Sequence, residues 1–398
     1  MDNIKKRFPV YINACGFNSA LGSEKETVIA RLKGEQSADM ELAEDVLNNG
    51  KATVVGRVKS ELPQLPASLS RFDSRNNQIA LSAVIQIEES VNAAIKQYGS
   101  DRVAVIIGTS TSGISDGEAA LKEKLDTGEF PHDYHYFKQE LGNPAEFIRE
   151  YFCLAGSCYC VSTACSSSGR AFLSAKRLLK AGLADAVIVG GVDSLCSLTL
   201  NGFNGLEALS NKHCNPFSIN RDGINIGEAA AVMLLSLSRS EGSIALLGAG
   251  DSSDAHHISA PHPEGKGAEE AMLKALDDAA LSPSDIGYVN AHGTATPLND
   301  AMESKAINRV FSDEVPVSST KPLTGHTLGA ASAVEAAICW YVLKYNLSLP
   351  VQLNDGHFED FSLQFVKQGI PLNGKAVLSN SFAFGGNNIS LIFGYADD

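Results

Sequence analysis

The chain repeats itself, and the repeat limits its fold more than any other feature. Residues 103–111 read VAVIIGTST and residues 288–296 read YVNAHGTAT, each an apolar strand pattern that runs into Gly-Thr-x-Thr. Downstream of the first copy, Val161-Ser162-Thr163-Ala164-Cys165 opens a helix of small residues. Downstream of the second, Val317-Ser318-Ser319-Thr320-Lys321 does the same, passing through Gly325-His326 and Gly329-Ala330-Ala331. Two echoes in one order point to a gene-duplicated α/β unit with a break near residue 240: an N-terminal half over 1–240 and a C-terminal half over 241–398. Apolar runs predict strands at Val103–Ile107, Ala186–Val189, Ile286–Asn290 and Ala376–Ser379. Helical periodicity predicts helices over about Ser166–Lys180, Gly267–Ala280 and Thr327–Lys344, the second with apolar positions at Ala271, Leu273, Leu276 and Ala280.

A chain of 398 residues, 44% of them hydrophobic and 20% charged, buries a core without crosslinks and is not disordered. Its longest apolar run, Ala336 to Leu343, has eight residues. A bilayer-spanning helix needs about twenty, so no membrane span is expected. The formal net charge of −14 argues against gripping nucleic acid or anionic lipid over the whole surface. An acidic partner needs a local basic patch. Lys5-Lys6-Arg7 precedes an apolar stretch that Pro9 and Asn13 interrupt, which is not the pattern of a signal peptide, so the cytoplasm is the expected compartment.

Four of the eight cysteines cluster as Cys153, Cys158, Cys160 and Cys165. The C-x2-C step of zinc ribbons is absent from this cluster, and disulfide frameworks belong to small secreted chains. Buried free thiols are the expectation for most of them. Cys165 stands apart, because it falls at the entry to the helix whose buried face is marked by Phe172, Ala175, Leu178 and Leu179 and whose C-cap is Gly182. Helix-entry amides and the positive dipole end favour a thiolate there. Nucleophile and buried structural cysteine both fit this position.

Three further motifs carry polar chemistry. Asn290-Ala291-His292-Gly293-Thr294-Ala295-Thr296-Pro297 ends a strand with a histidine and two hydroxyls, where α/β sheets place their clefts. Ser319-Thr320-Lys321-Pro322-Leu323-Thr324-Gly325-His326 sets a lysine and a histidine before a small-residue helix that carries Glu335, a potential buried partner for a charge. Asn380-Ser381-Phe382-Ala383-Phe384-Gly385-Gly386-Asn387-Asn388 follows a strand with an aromatic and paired glycines. A core histidine, a capping group and an ordinary hairpin are the bland readings of these three.

TACSSS, NAHGTATPLND, STKPLTGHTLGAAS and NSFAFGGNN, in this order and spacing, resemble the β-ketoacyl-acyl-carrier-protein synthases of the thiolase-like superfamily. ALSNKHCNPFSINRDGINIGEAA, residues 208–230, resembles their central segment, so the likeness covers nearly the whole chain. The resemblance implies a duplicated α-β-α-β-α layered sandwich and a homodimer, or a heterodimer with a related subunit. It implies that Cys165 accepts the acyl chain, that His292 and His326 form the histidine pair, and that Lys321 is a supporting cation with Glu335 its companion. Phe384 matches the gating aromatic, whose N–H would complete an oxyanion hole with that of Cys165. Thr294 and Thr296 match the threonines that hold a phosphopantetheine arm. Asn290, Glu335, Ser379 and Asn380 match residues around a monovalent cation in some relatives, and Arg71 and Arg75 fall in a segment like the relatives' carrier-protein docking region.

The implied reaction is decarboxylative condensation of malonyl-carrier protein with an enzyme-bound acyl thioester in fatty-acid elongation, with acyl carrier protein as partner and no required cofactor. The absence of Walker and Rossmann phosphate loops agrees with this. Thr111, Phe203 and Ile224 bear on acyl-chain length, and Pro322, Ser332, Asn387 and Ala229 depart from the common pattern. These departures keep open a ketosynthase of a specialised polyene or polyketide pathway. A non-catalytic chain-length subunit would lack Cys165, and a coenzyme-A thiolase would need a cysteine beyond Cys339.

Overall fold

The apolar runs pair into one sheet because each is buried on both faces. In the computed structural model, which describes residues 9–239 and 243–396, an 11-stranded sheet runs through the molecule. The basic triplet Lys5-Lys6-Arg7 and the expected boundary at residues 240 and 241 lie outside the described residues. The strands are β1 (Val10–Asn18), β2 (Val103–Gly108), β3 (Cys158–Val161), β4 (Ala186–Asp193), β5 (Ala229–Ser236), β6 (Ile244–Ser253), β7 (Ile286–Asn290), β8 (Pro316–Ser318), β9 (Gln364–Phe365), β10 (Ala376–Phe382) and β11 (Asn387–Tyr395). Their order across the sheet is β9-β8-β7-β10-β11-β6-β1-β5-β4-β2-β3.

Read outward from its centre, the order shows the duplication in backbone form. From β1 the neighbours are β5, β4, β2 and β3; from β6 they are β11, β10, β7 and β8. The hydrogen-bonding sense matches as well: β2 is parallel to β3 and β4, as β7 is to β8 and β10. The pairs β4/β5, β5/β1, β10/β11 and β11/β6 are antiparallel. The two sets join where Val10–Ile12 of β1 meets Ile244–Leu246 of β6.

Two helices fill equivalent places between the sets. Ser167–Lys180 follows β3, and Ala331–Lys344 follows β8. Both pack on strands of both sets and on each other. The second is buried from Ala331 to Leu343, so the eight-residue apolar run is a helix with no solvent face. Arg75–Val84 covers β1 and β5 on one outer side, and Lys266–Ala279 covers β6 and β11 on the other. The expected layered α-β-α-β-α sandwich is therefore present.

The predicted strands and helices are all found, within a few residues at their ends. Gly182, at φ +67°, ends the first buried helix, with Leu183 N–H returning to Leu178. One face was misread. On Lys266–Ala279 the buried stripe is Ala268, Ala271, Met272, Ala275, Leu276 and Ala279, while Leu273 and Ala280 face solvent. The helix packs on the sheet through its smaller residues, because β6 comes so close that a Cβ on Gly250 would lie 2.3 Å from the Ala271 carbonyl.

The same close approach seats the start of the Ser167–Lys180 helix. A Cβ on Gly108, the last residue of β2, would stand 2.2 Å from the Ser168 backbone nitrogen. Gly108→Ala should therefore cost about 3 kcal/mol, the upper range for overpacking against backbone. A denaturant midpoint equal to that of the wild type would contradict this seating.

Candidate active site

The turn into the first buried helix is braced by hydroxyls. Ala164 has φ +53°, a left-handed conformation costly for a residue with a side chain. Ser166 Oγ donates to the Thr163 carbonyl, Ser167 Oγ accepts from the Thr163 N–H at 2.8 Å, and Ser167 Oγ donates to the Ala164 carbonyl. Cys165 is thereby held just ahead of the helix with its side chain buried. Its own amide and that of Phe384 favour the thiolate, against the larger opposing effect of burial. From the second buried helix, Ser332 Oγ donates to the Cys165 carbonyl at 3.3 Å, and the Ala333 N–H donates to Ser168 Oγ at 3.0 Å.

Both histidines come from turns clamped by other backbone. The His292 and Gly293 amides each donate to the Glu303 carboxylate at 2.7 Å. Asp300, one turn earlier on the helix Pro297–Phe311, accepts the amides of Phe217 and Ala295. The His326 amide donates to the Asn225 carbonyl at 2.6 Å, and the Gly227 amide returns a bond to the His326 carbonyl. That strip is tight: a Cβ on Gly227 would lie 2.1 Å from the Thr324 carbonyl oxygen.

These turns converge on one point. His326 Nε2 lies 3.1 Å from Cys165 Sγ, and the two imidazoles meet edge to face with ring centres 5.3 Å apart. Lys321 Nζ lies 3.3 Å from His292 Nδ1 and pairs with the buried Glu335, whose other oxygen accepts from Ser381 Oγ at 3.3 Å. The Leu328 N–H donates to His326 Nδ1 at 3.1 Å, so the proton of a neutral His326 sits on Nε2, facing the sulfur. The Lys321 ammonium donates to His292 Nδ1 in the same way, leaving Nε2–H as that ring's donor.

Burial and the nearby Lys321 charge hold both imidazoles well below the ordinary histidine range, so both are neutral at pH 7. The thiol runs against the sequence expectation of a favoured thiolate. Burial pushes it up to about 11, and Lys321 and the two amides only partly oppose that. The sulfur and the two histidine nitrogens lie within 4.8 Å of one another, a spacing that would suit a metal ion. The donor set does not, because the ring N–H groups and the adjacent ammonium favour an anion there.

These groups line a cavity of about 270 Å³, together with Phe203, Ile224, Thr294, Thr296, Phe382 and Phe384. Thr294 and Thr296 share a hydrogen bond of 2.9 Å, and the rings of Phe203 and Phe384 lie 5.7 Å apart. Thr111 is not on this wall. It is fully buried, donating to Asp193 and accepting from the Ser194 N–H. Arg75 is not a free docking cation either, because its guanidinium is spent on the buried Glu228. Arg71 is exposed, lies over the Phe72 ring and pairs with Glu150 at 3.7 Å. Of the four expected cation ligands, Glu335 is occupied by Lys321 and Ser381, and Asn380 bonds Ser390 and Glu303. Ser379 is buried, and Asn290 leaves its Oδ1 without a hydrogen bond.

Sequence reasoning missed the carboxylates that hold the loops. Asp193 accepts the hydroxyls of Thr109 and Thr111 and the amides of Ser110, Thr111 and Ala330. Asp300 and Glu303 had a signal: acids three residues apart in the first turns of a helix, next to a histidine turn.

Fold and site together define an acyltransferase with a Cys-His-His centre. The family model described as beta-ketoacyl synthase, N-terminal domain, matches residues 7–240, and that described as beta-ketoacyl synthase, C-terminal domain, matches residues 244–354. The chain is 32% identical over 343 residues to 3-oxoacyl-[acyl-carrier-protein] synthase 2 of Staphylococcus aureus, covering 81% of this chain and 85% of that protein. A solved complex of a ketosynthase (ApeO) with its chain length factor (ApeC) from Xenorhabdus doucetiae contains a chain that matches at TM-score 0.93 and 46% identity over 100% of both chains. A beta-ketoacyl synthase from Burkholderia phymatum matches at TM-score 0.86 and 27% identity over 98% of this chain and 100% of that one. The chain belongs to the beta-ketoacyl synthase family.

Burial pushes the Glu303 carboxyl up to about 7 from an ordinary 4.5, against the pull of its two amide donors. Between those values the folded chain binds more protons than the unfolded one. The contribution of Glu303 to stability is therefore largest below the unfolded value and is lost as pH rises to about 7. Relative to Glu303→Gln, the wild type should lose unfolding midpoint between about pH 4.5 and pH 7. Parallel pH profiles for the two proteins would refute the assignment.

Proposed function

We propose that the protein is a 3-oxoacyl-[acyl-carrier-protein] synthase that extends an acyl chain by decarboxylative condensation. The observation that carries the reading is the convergence of the His326 and His292 ring nitrogens on Cys165 Sγ, with His326 Nε2 at 3.1 Å. In this reading Cys165 attacks the thioester of an acyl-carrier protein; the acyl–carrier sulfur bond breaks as the acyl-S-Cys165 bond forms, and the Cys165 proton passes to the departing sulfur, which leaves as the carrier thiol. The amides of Cys165 and Phe384 receive the oxyanion of that tetrahedral intermediate. Malonyl-carrier protein then loses carbon dioxide. The electron pair left behind forms an enolate, whose oxygen takes the Nε2–H bonds of neutral His292 and His326. The enolate carbon attacks the acyl carbon, and Cys165 leaves, giving a 3-oxoacyl-carrier protein two carbons longer. Loss of carbon dioxide drives the step, so the chemistry calls for no resident cofactor.

The remaining assignments follow from the same reading. Lys321 holds His292 in its donor tautomer, with Glu335 balancing the charge. Thr294 and Thr296 face the phosphopantetheine arm, and Phe203, Ile224 and Phe384 border the acyl chain. The orphaned Asn290 Oδ1 supports a monovalent cation beside Ser379, Asn380 and Glu335, which a potassium dependence of thermal stability would report. Arg71 is the docking candidate that stays exposed, and Arg71→Glu should raise KM for the carrier protein without lowering kcat. The chain divides functionally into 1–240, with the nucleophile, and 241–398, with the histidine pair and lysine. The cytoplasm is the setting that carrier-protein thioesters imply.

A second reading is favoured by the 46% identity, over both full lengths, to a chain of a ketosynthase and chain length factor complex. It makes the protein the catalytic partner in a specialised polyene or polyketide pathway. Either reading calls for a second chain of the same fold: another copy in the first, a chain-length subunit in the second. Support comes from β3, which ends the sheet with no strand on its outer side among the described residues, and from Leu121 and Leu125, exposed four residues apart on one helix.

Incubation with acyl-carrier protein should add the acyl mass to Cys165, and Cys165→Ala should abolish both the adduct and condensation. An active alanine variant would sink the reading. His326→Ala should lower malonyl-carrier-protein decarboxylation at least about a hundredfold, the loss typical of removing one oxyanion donor. Light scattering of the chain alone, and after co-expression with a related subunit, separates the two assemblies.

A further inference from the structure

The cavity wall that carries Phe203 is an intrinsically poor helix. Ser197–Gly205 reads SLTLNGFNG, with two glycines and two asparagines in nine residues. Such residues favour turns over helix interiors. Its N-cap, Cys196, makes no capping bond with its side chain. Yet the helix positions Phe203, whose ring meets that of Phe384, and it ends at Leu206, Glu207 and Ala208, which also line the cavity.

Glu118 supplies what the helix lacks. It lies on a different helix, Ile114–Thr127, and reaches across to the first turn of Ser197–Gly205. Its Oε2 accepts the Ser197 N–H at 2.8 Å and its Oε1 accepts the Leu198 N–H at 2.7 Å. A bidentate carboxylate thus satisfies two orphan amides and sits at the positive end of the helix dipole. Elsewhere Asn201 accepts the Asn48 amide, and the Asn49 side chain donates to that of Asn204. Those bonds tie the middle and end of the helix; at its start Thr199 Oγ1 donates to the Cys196 carbonyl and Asn201 Nδ2 to the Ser197 carbonyl, while the Ser197 and Leu198 amides go to Glu118.

We infer that Glu118 is a positioning residue for acyl-chain selection, acting through the Phe203 helix. The inference rests on the condensing-enzyme reading, since it concerns which acyl chains reach Cys165. With the cap present, Phe203 keeps one depth and one angle against Phe384, and the cavity discriminates between chain lengths. Without it the helix start frays, Phe203 gives way, and chains of different length are accepted more equally. The step after acylation is insulated, because His292 and His326 are held by Glu303, Asn225 and Leu328 and not by this helix.

The test uses the full chain and acyl-carrier proteins bearing chains of graded length, with the rate of adduct formation on Cys165 followed by intact mass. Glu118→Ala should flatten the ratio of fastest to slowest chain by about tenfold, the scale of a small misplacement in a reactive site. Its decarboxylation of malonyl-carrier protein should stay within about twofold of wild type, well below the loss from a removed oxyanion donor. Glu118→Gln keeps one good acceptor and should fall between. Gly202 is exposed, and a Cβ there meets nothing within 4 Å, so Gly202→Ala strengthens the helix without a clash. Glu118→Ala/Gly202→Ala should therefore restore the wild-type profile, a rescue that a merely structural role elsewhere would not show. A Glu118→Ala profile that superimposes on wild type overturns the inference, as does a double variant that recovers nothing. If Glu118→Ala does not fold, Glu118→Gln with and without Gly202→Ala decides by the same ratio. A wild type that never acylates Cys165 refutes the condensing-enzyme reading itself, and this inference with it.

Discussion

The Asp193 carboxylate sits at the end of β4 and gathers five donors from both repeated sets. Four come from the Gly-Thr-x-Thr turn after β2: the Thr109 and Thr111 hydroxyls and the Ser110 and Thr111 amides. The fifth is the Ala330 amide, which opens the helix after His326. Burial raises this carboxyl, and the donors oppose the rise. The connection to the site is short. Ala330 ends the turn that begins at Leu328, and the Leu328 amide fixes the His326 tautomer. A buried carboxylate thus braces the turn whose Leu328 amide sets the tautomer of His326.

The electrostatics of the pocket favour what is formed during reaction over what is present at rest. A thiol with its pKa near 11 is un-ionised, and two depressed imidazoles are uncharged. The ring nitrogens of His326 and His292 that face the sulfur are neutral donors. Such donors act without first shedding a proton or a counterion, which is what preorganisation means for a developing oxyanion. Lys321 takes part indirectly, since burial and, after it, the Lys321 charge keep the rings neutral, while Glu335 pairs with that charge.

The sequence patterns revealed Cys165, His292, His326 and Lys321 because each sits in a short, polar, glycine-punctuated stretch that has no reason to be polar otherwise, and Glu335 because it is the one charged residue in the apolar run from Ala331 to Leu343. They also revealed the buried helix Ala331–Leu343 and the duplicated order of strands. What they hid has a common cause. Asp193, Glu303, Asp300 and Glu118 act on backbone amides, and an amide leaves no mark in a sequence that says which carboxylate will find it. The partners of Thr111 and Arg75 were hidden for the same reason: Asp193 and Glu228 lie far along the chain. The exposure of Leu273 was hidden because the closeness of strand and helix is set by glycines on the strand, not by the helix pattern.

The helix Ala331–Lys344 touches β1, β4, β5, β6, β10 and β11. Half of the surface that shelters it therefore belongs to the first copy of the repeat and half to the second. A helix apolar on every side has no stable place in water, so separating the copies would strand it. Cutting the chain between the copies would leave the thiol on one fragment and the pair of imidazoles on the other, with neither fragment able to enclose the helix they share.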